Sequence, residues 1–435
     1  MSKILRKYMS VNLMLRIGIG LLVGSILGGV TYTTNLQQSV PELYTCLETI
    51  FVILGNLFIG ALRSIAPVLI FFIISTALMQ KPKSQSKTIQ RQMMLYVLGT
   101  FFAALIAVII NCSFHVTIPI PDDIKTDTPT GPADLPQVLI TIFNSIVSNP
   151  IDSIANGNFL GVLFWAIMFG FAARQFATKG MRSGFEAVTN TFTKLISIII
   201  EFAPFGICGL VFMSIINSGI GIFTDYGFLL IVYLICTLSM FFVFNALLVF
   251  IVLKRNPYPL IWKTIKDSAV TAFFFRSSAA NIPINMALCK RLGLDKNNYS
   301  ISIPIGSTIN MEGAAITIIT LSLVACFSLD IQVDFGPALI LSIVATVSAI
   351  GASGVSGGSI LLVPMACSLF GINGDMASAV VAVGFIIGVI QDSVETALNS
   401  STDVLFTATI QFFEKIKKGV PVHKVVGGTL DDVKD

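Results

Sequence analysis

Long apolar runs recur along the chain, and short polar segments separate them. Runs at or above about 18 residues are typical of helices that cross lipid. A transmembrane barrel would instead show shorter segments in which apolar and polar residues alternate. The pattern therefore predicts an all-α membrane protein. Its runs lie at about 12–34, 44–79, 93–116, from 159, up to 217, 226–254, 299–327 and from 376.

The charged residues between the runs predict how the helices are oriented. The N-terminal segment MSKILRKYM is basic, and basic groups also follow the second, fourth, sixth and last runs. Basic segments stay in the cytoplasm, whereas the loop around Asp122 and Asp134 is acidic and belongs outside. The alternation predicts about eight crossings plus cytoplasmic N- and C-termini. Residues 413–435 form the predicted cytoplasmic tail, which after Val420 has the character of a short solvated extension.

Two apolar segments do not fit this alternation. Residues 257–288 have basic groups at both ends, and residues 337–370 are flanked only by Asp334 and Asp375. A single crossing would place one end of each on the wrong side, and their middles, FFFRSSAANIP and IGASGVSGGS, are small and polar. We interpret them as two re-entrant helical hairpins that enter from opposite faces. Two ordinary helices with Gly/Ser kinks remain the alternative.

Composition narrows the class of function. Hydrophobic residues make up 54% of the chain and charged residues only 11%, against roughly 25% charged in soluble domains, so the lipid membrane is an expected partner. The net charge of +4 is spread over short loops, which argues against nucleic acid. The seven scattered cysteines and two isolated histidines indicate no disulfide framework, zinc site or organic cofactor.

Two interrupted segments from opposite faces are typical of the substrate site of a transporter. The N-termini of half-helices attract carboxylates, and unwound backbone carbonyls coordinate sodium. The residues expected at the two tips are small ones, which let a ligand approach the backbone: Ser277, Ser278, Gly354, Ser356 and Gly358.

The last run contains a polar stripe. Asp392, Glu395, Asn399 and Asp403 are spaced three, four and four apart, which places them on one helical face. Carboxylates at membrane depth cost at least about 2.5 kcal/mol each, so they normally face a cavity, a cation or each other. We expect Asp392 to hold an ammonium group, and Asn399 and Asp403 to bind sodium. A helix lying at the membrane surface would account for Asp403 alone, but poorly for four residues in register.

The seventh run contains GSTINMEG, in which Asn310, Met311 and Glu312 mark a stretch prone to unwinding. Backbone carbonyls of a broken helix, together with amide and carboxylate side chains, make a plausible sodium site. We therefore expect sodium as the coupling ion.

Four motifs, RSSAANIP, NMEG, GASGVSGGS and QDSVETALNSSTD, together closely resemble the dicarboxylate/amino acid:cation symporter family, and within it the bacterial serine/threonine:sodium symporters. The resemblance covers nearly the whole chain. It implies a homotrimer in the inner membrane that imports substrate by an elevator movement. A scaffold of about 12–79 and 139–217 would stay fixed while a transport part of about 93–117, 226–290 and 299–412 moves.

The resemblance also implies the ligands of each site. Substrate would be bound by Ser278 and the backbone near Val355, with Asp392 on its amino group, Asn399 on its polar backbone atoms, and Thr396 on the carboxylate or supporting the site. One sodium site would comprise Gly306, Asn310, Asn399 and Asp403, and a second the backbone of Thr308, Ala349, Ile350 and Ala352.

Five positions depart from the pattern of the family. Glu395 and Ala314 stand where members with acidic substrates have an arginine and a threonine, so a negatively charged side chain should be rejected. A small neutral amino acid such as serine or threonine fits better. Glu312 replaces the usual aspartate, and Gly99 and Thr100 replace a hydroxyl pair near Tyr96. A third sodium site at Tyr96, Thr100 and Glu312 therefore stays open, as does the number of ions per cycle.

Three other functions were weighed. A sodium- or proton-coupled dicarboxylate or glutamate symporter would have the same fold and transport mechanism but another substrate. A cation channel would use the hairpins as a filter, and ion flux without substrate would reveal it. A hydrolase using Ser353, Ser356 or Ser359 would need a general base, and no histidine lies nearby in the sequence, although GVSGG at 354–358 has the GxSxG spacing. We therefore expect a transporter and not an enzyme.

Overall fold

The computed structural model describes residues 11–79, 87–119, 140, 143–144, 146–351, 357–372 and 374–433. Within these ranges nearly all residues are helical, and the only β-pairing is an isolated bridge between His423 and Leu430. The first helices are α1 Leu13–Thr33, α2 Pro41–Met79, α3 Lys87–Phe114, α4 Phe159–Phe176, α5 Lys179–Glu201, α6 Ala203–Ser218 and α7 Ile222–Leu253. Two short helices, Leu36–Ser39 and Pro150–Ala155, precede α2 and α4.

The second half of the chain holds the interrupted segments. Its helices are α8 Tyr258–Thr264, α9 Val270–Phe275, α10 Ser278–Arg291, α11 Lys296–Ile309, α12 Glu312–Ser328, α13 Phe335–Gly351, α14 Val363–Ser368 and α15 Gly374–Lys417. Five-residue π-helical segments lie within α7, at Met240–Phe244, and between α8 and α9, at Ile265–Ala269. Short 3₁₀ turns occupy Ile360–Leu362 and Lys424–Val426.

The expected number of crossings is confirmed. Seven helices among the described residues are long and apolar enough to span a membrane, and the pair α5–α6 can supply an eighth. That pair is bent by 55°, because Pro204 near the start of α6 has no N–H to continue the hydrogen bonding of α5. The fold is therefore that of an all-α membrane protein.

The first interrupted segment folds into an antiparallel helical hairpin, here called hairpin 1 (residues 258–291). Ser268 Oγ donates to Asn285 Oδ1 at 2.5 Å, and Thr271 Oγ1 donates to Asn281 Oδ1 at 2.8 Å. Asn281 and Asn285 also donate to Ser400 of α15, each at 2.9 Å. These buried bonds fix the hairpin to the helix that carries the polar stripe.

The second interrupted segment, here called hairpin 2 (residues 335–368), also has two helical arms. Ser348 on α13 lies 3.7 Å from the sulfur of Met365 on α14. Residues 352–356 at its tip lie outside the described residues. The chain re-enters the described region at Gly357, whose φ of +72° is the left-handed conformation that favours glycine.

The seventh span is broken at the predicted place. The helix α11 ends at Ile309 and α12 begins at Glu312, so Asn310 and Met311 are not helical. Every residue of α12 from Glu312 to Cys326 is buried, and the helix packs against α3, α13 and α15. Because α12 is enclosed by other helices, its polar side chains must find partners inside the protein.

The three glycines Gly20, Gly24 and Gly28 of α1 serve helix packing, as their spacing indicates. An ideal Cβ at Gly20 would lie 2.1 Å from the carbonyl oxygen of Pro204, and one at Gly24 would lie 2.4 Å from that of Cys208. The backbones of α1 and α6 are therefore in direct contact.

Replacing Gly24 by valine should force α1 and α6 apart and destabilise the protein by about 1–3 kcal/mol, the usual cost of overpacking. The measurement is the midpoint of thermal unfolding in detergent. Gly18→Val is the matched control, because no atom lies within 4 Å of a Cβ built at Gly18. Equal midpoints for the two variants would contradict the close contact.

The prediction that the tail is a solvated extension was wrong. After α15 the chain turns back and contacts the base of hairpin 1, where Lys263 Nζ donates to Asp432 Oδ2 at 2.7 Å. Arg255 donates to the Val426 carbonyl at 2.6 Å, and the Val433 N–H donates to the Arg291 carbonyl at 2.9 Å. The hydrogen bond from Lys263 lowers the pKa of Asp432, so the carboxylate stays ionised and paired at neutral pH.

None of the seven cysteines forms a disulfide. Cys46, near the start of α2, is exposed and Cys112 is partly buried, whereas the remaining five are buried. The buried thiols pack as small apolar side chains.

Candidate functional site

The polar stripe of α15 is buried at the centre of the molecule. The exposed fractions of Asp392, Glu395, Asn399 and Asp403 are 3%, 7%, 3% and 0%. The structure does not gather them around one ligand. Asp392 and Glu395 contact hairpin 2, whereas Asn399 and Asp403 lie at the break between α11 and α12, so the stripe forms adjoining sites along one helix.

Asp392 lies at the tips of both hairpins. Its Oδ2 accepts a hydrogen bond from Nε of Arg276 at 2.7 Å and lies 2.7 Å from a second guanidinium nitrogen. Its Oδ1 accepts from the N–H of Gly357 at 3.1 Å. The sequence predicts a cation at Asp392 but does not identify Arg276 as its partner, since the two are 116 positions apart.

The hairpin residues expected to bind substrate lie close by. Ser278 is buried and begins α10, so its N–H group belongs to the free N-terminal end of that helix. Ser277 caps the same end by accepting from the Ala280 N–H at 3.2 Å. Gly358 is buried, whereas Val355, Ser356 and the sodium ligand Ala352 lie outside the described residues. Thr396 donates its hydroxyl to the Asp392 carbonyl at 2.8 Å, a bond within its own helix.

Glu395 lies in a polar cluster between α12, α15 and hairpin 2. Its Oε2 accepts from Thr317 at 2.7 Å, from Ser359 at 2.7 Å and from Gln391 at 2.6 Å. Three neutral donors therefore surround the carboxylate. Ala314, one turn before Thr317 on α12, is fully buried. The sequence predicts that Glu395 lies beside the substrate. In the structure its carboxylate also connects α12, α15 and hairpin 2.

Asn310, Asn399 and Asp403 form a second cluster at the break between α11 and α12. The amide of Asn310 donates to Asp403 Oδ1 at 3.0 Å and to the Asn399 carbonyl at 3.0 Å, and Asn399 Oδ1 accepts from the Gly313 N–H at 2.7 Å. Gly306 is in contact, since its Cβ would lie 2.7 Å from Asp403 Oδ1. The sequence-predicted set Gly306, Asn310, Asn399 and Asp403 is thus brought together.

Two oxygens of this cluster, Asn310 Oδ1 and Asp403 Oδ2, have no hydrogen-bond partner within the part of the chain that the structure describes. Buried acceptors without a partner are costly. Carboxylate, amide and backbone oxygens are the ligands that hard cations prefer. These residues therefore fit a sodium ion, and they do not resemble a transition-metal site. Among the described residues no group of three or more His, Cys, Asp or Glu side chains could hold a metal ion.

The candidate third site fits sodium less well. The Tyr96 hydroxyl is bonded to Thr407 at 2.8 Å, and Thr100 donates to the Tyr96 carbonyl and accepts from the Met311 N–H. Only Glu312 has an unpartnered oxygen, Oε1, while its Oε2 accepts from Asn245 at 2.9 Å. Asn245 lies on α7 directly after a π-helical segment, a common feature of functional sites, and no sequence motif marks it.

Gly99 makes room for the longer side chain of Glu312. A Cβ at Gly99 would lie 2.5 Å from Glu312 Oε1 and 2.9 Å from the ring of Phe406. Glycine at position 99 and glutamate at position 312 are therefore linked departures from the family pattern. The carboxylate of Glu312 fills the space that a side chain at position 99 would occupy. The other predicted sodium ligands, Thr308, Ala349 and Ile350, are on α11 and α13, which pack against each other.

Two cavities flank the site. A cavity of about 20 Å³ lies between Arg276, Gly357 and Asp392 and the helices α1 and α6, and it has room for about one water molecule. A larger cavity of about 640 Å³ separates α2 and the start of α4 from α14 and the start of α15.

Comparison with known proteins agrees with this geometry. A model of the sodium:dicarboxylate symporter family matches residues 13–412. The chain is 47% identical over 413 residues to the serine/threonine transporter SstT of Streptococcus agalactiae, covering 94% of this chain and 98% of that protein. It is 44% identical to the serine/threonine transporter SstT of Streptococcus thermophilus over 411 residues, 94% of this chain and 98% of that protein. The SstT of Bifidobacterium adolescentis is 44% identical over 412 residues, 95% and 92% of the two chains.

Proposed function

Since this chain belongs to the sodium:dicarboxylate symporter family, we propose that it imports serine, threonine and similar small neutral amino acids together with sodium. The observation that carries the proposal is the buried stripe of α15. It places Asp392 at the hairpin tips and the unpartnered oxygens of Asn310 and Asp403 beside a broken helix. One helix therefore joins a place for an ammonium group to a place for a sodium ion. Relatives that are named serine/threonine transporters support the choice of substrate.

Asp392 pairs with the ammonium group of the substrate, and the N-terminus of α10 at Ser278 faces its carboxylate. Backbone N–H groups at a helix N-terminus bind carboxylates well. Asn399 bonds the polar backbone atoms of the substrate, and Thr396 supports the site. Val355, Ser356 and Gly358 complete it from hairpin 2.

Sodium binds at Gly306, Asn310, Asn399 and Asp403. The ion is the positively charged partner of the two oxygens, Asn310 Oδ1 and Asp403 Oδ2, that accept no hydrogen bond from the described residues. A second sodium binds the backbone of Thr308, Ala349, Ile350 and Ala352. Glu312, held by Asn245, is the one group of the third site that keeps a free oxygen.

Transport proceeds by an elevator movement of the transport part against the scaffold. Two placements support an inward position in this structure. Asp392 shares its small cavity with Leu13 and Ile17, in the first turns of α1 at its predicted cytoplasmic end. Ile372 and Ser378, at the predicted outer end of hairpin 2 and α15, line the larger cavity with Leu62 in the middle of α2. The protein is a homotrimer of the inner membrane, with both termini in the cytoplasm.

The test is uptake of radiolabelled serine by proteoliposomes with and without an inward sodium gradient. Unlabelled threonine and aspartate serve as competitors. Uptake that requires sodium and is blocked by threonine but not by aspartate is the expected result. Competition by aspartate would indicate a dicarboxylate symporter, and sodium flux without substrate would indicate a channel.

Selectivity against acidic substrates should depend on Glu395. In Glu395→Arg combined with Ala314→Thr, we expect aspartate to compete with serine, because the arginine can pair with a side-chain carboxylate. Serine uptake should fall at the same time, since Thr317, Ser359 and Gln391 lose their shared acceptor. Ala314→Thr alone is the control. Continued exclusion of aspartate by the double variant would place selectivity elsewhere.

A further inference from the structure

We propose that Arg276 is a built-in counter-cation, which occupies the ammonium site on Asp392 when the carrier is empty and so allows the empty carrier to return for another substrate. The proposal rests on the proposed function, in which Asp392 holds the ammonium group of the substrate. It adds a role for a residue of hairpin 1 that the substrate site itself does not require.

The contact between Arg276 and Asp392 is well formed. Nε and a terminal nitrogen of the guanidinium both lie 2.7 Å from Asp392 Oδ2, and the terminal nitrogen also donates to the Gly388 carbonyl at 3.2 Å. The side chains are only 12% and 4% exposed. The guanidinium of Arg276 thus bonds both the Asp392 carboxylate and the Gly388 carbonyl of α15, and it carries the same positive charge as an ammonium group.

The backbone of Arg276 suits this placement. Arg276 ends α9 in the left-handed conformation, with φ 50° and ψ 33°. A residue other than glycine adopts this conformation at a cost of about 1–2 kcal/mol. The backbone conformation at position 276 would favour glycine, yet the chain has an arginine there. Its long cationic side chain extends from the tip of hairpin 1 to α15.

Asp392 links the two hairpins when Arg276 is bound. Oδ2 is held by Arg276 of hairpin 1, and Oδ1 accepts from the Gly357 N–H of hairpin 2. The cavity beside them has a volume of about 20 Å³. Arg276 therefore occupies the oxygen of Asp392 that an ammonium group would bind, and serine can pair with that oxygen only after Arg276 has left it.

Charge explains why the pair matters for the empty carrier. A lone carboxylate at membrane depth costs at least about 2.5 kcal/mol, and Glu395 lies within one turn of Asp392 on the same helix. Either an ammonium group or the guanidinium can neutralise Asp392. Asp392 is thus neutralised both in the loaded and in the empty carrier, and in the empty carrier this depends on Arg276.

The test separates two modes of transport in proteoliposomes. Exchange of labelled for unlabelled serine needs only the loaded carrier to move, whereas net uptake into serine-free vesicles also needs the empty carrier to return. The variants are Arg276→Gln, which keeps a polar side chain without the charge, and Arg276→Lys, which keeps the charge. Lys290→Ala removes an exposed positive charge from the same hairpin, away from the tip, and is the control.

For Arg276→Gln we expect net uptake to fall about tenfold or more and exchange to change by less than about twofold, because only the empty carrier loses its counter-charge. Serine should also bind this variant more tightly, since no internal cation competes. Arg276→Lys should recover much of the net uptake, and Lys290→Ala should match the unmodified protein. Equal losses of net uptake and exchange in both Arg276 variants, or no loss in Arg276→Gln, would overturn the proposal. If the unmodified protein transports no serine in either mode, the proposed function itself fails.

Discussion

Replacing Asp392 by asparagine should abolish serine binding and uptake while leaving an assembled protein. The substitution removes the charge that pairs with the ammonium group, and it leaves Arg276 without its carboxylate partner. Loss of one partner of a buried ion pair costs about 3–5 kcal/mol. That cost corresponds to a loss of affinity of at least about a hundredfold.

Calorimetric titration of the purified variant with serine is the measurement, and size-exclusion chromatography checks its assembly. Asp334→Asn is the matched control, because it makes the same chemical change at an exposed aspartate before hairpin 2. Unchanged serine uptake by Asp392→Asn would remove Asp392 from the substrate site.

Asp403→Asn should raise the sodium concentration needed for half-maximal uptake by about tenfold or more, because a buried cation loses the anion that offsets its desolvation. Asp403 is fully buried, and its Oδ2 has no hydrogen-bond partner among the described residues. An asparagine would direct either an N–H group or a neutral oxygen at that position. Serine binding at saturating sodium should be weakened less than the response to sodium.

The measurement is uptake of labelled serine over a series of sodium concentrations at constant ionic strength. Glu414→Gln is the control, because this substitution removes a carboxylate near the predicted cytoplasmic end of the same helix. There Glu414 pairs with Thr88 and Arg91. The same sodium dependence in Asp403→Asn and the unmodified protein would place the coupling ion elsewhere.

The parts of the fold that the sequence predicts well are those set by local pattern. A run of apolar residues predicts a span, and GSTINMEG marks the break that the structure places at Asn310 and Met311. The spacing of the stripe on α15 likewise follows from helix geometry. Each of these needs only a few adjacent residues.

Pairings across the chain were not predictable in this way. Arg276 meets Asp392, and Asn245 meets Glu312, only because hairpin 1, α7 and α12 pack around α15. An arginine inside a small, polar hairpin was the available signal for the first pair. The tail was misread because its charged residues resemble a solvated segment, although Asp432 binds Lys263.

The distribution of the cysteines makes the native chain suitable for site-specific labelling. Cys46 is the one exposed cysteine, whereas five of the others are buried and Cys112 is partly buried. A maleimide dye that cannot cross lipid should therefore attach mainly to Cys46, near the predicted outer end of α2, without any engineered cysteine. Photobleaching steps per particle would then count subunits, and labelling from one side of the membrane would report orientation.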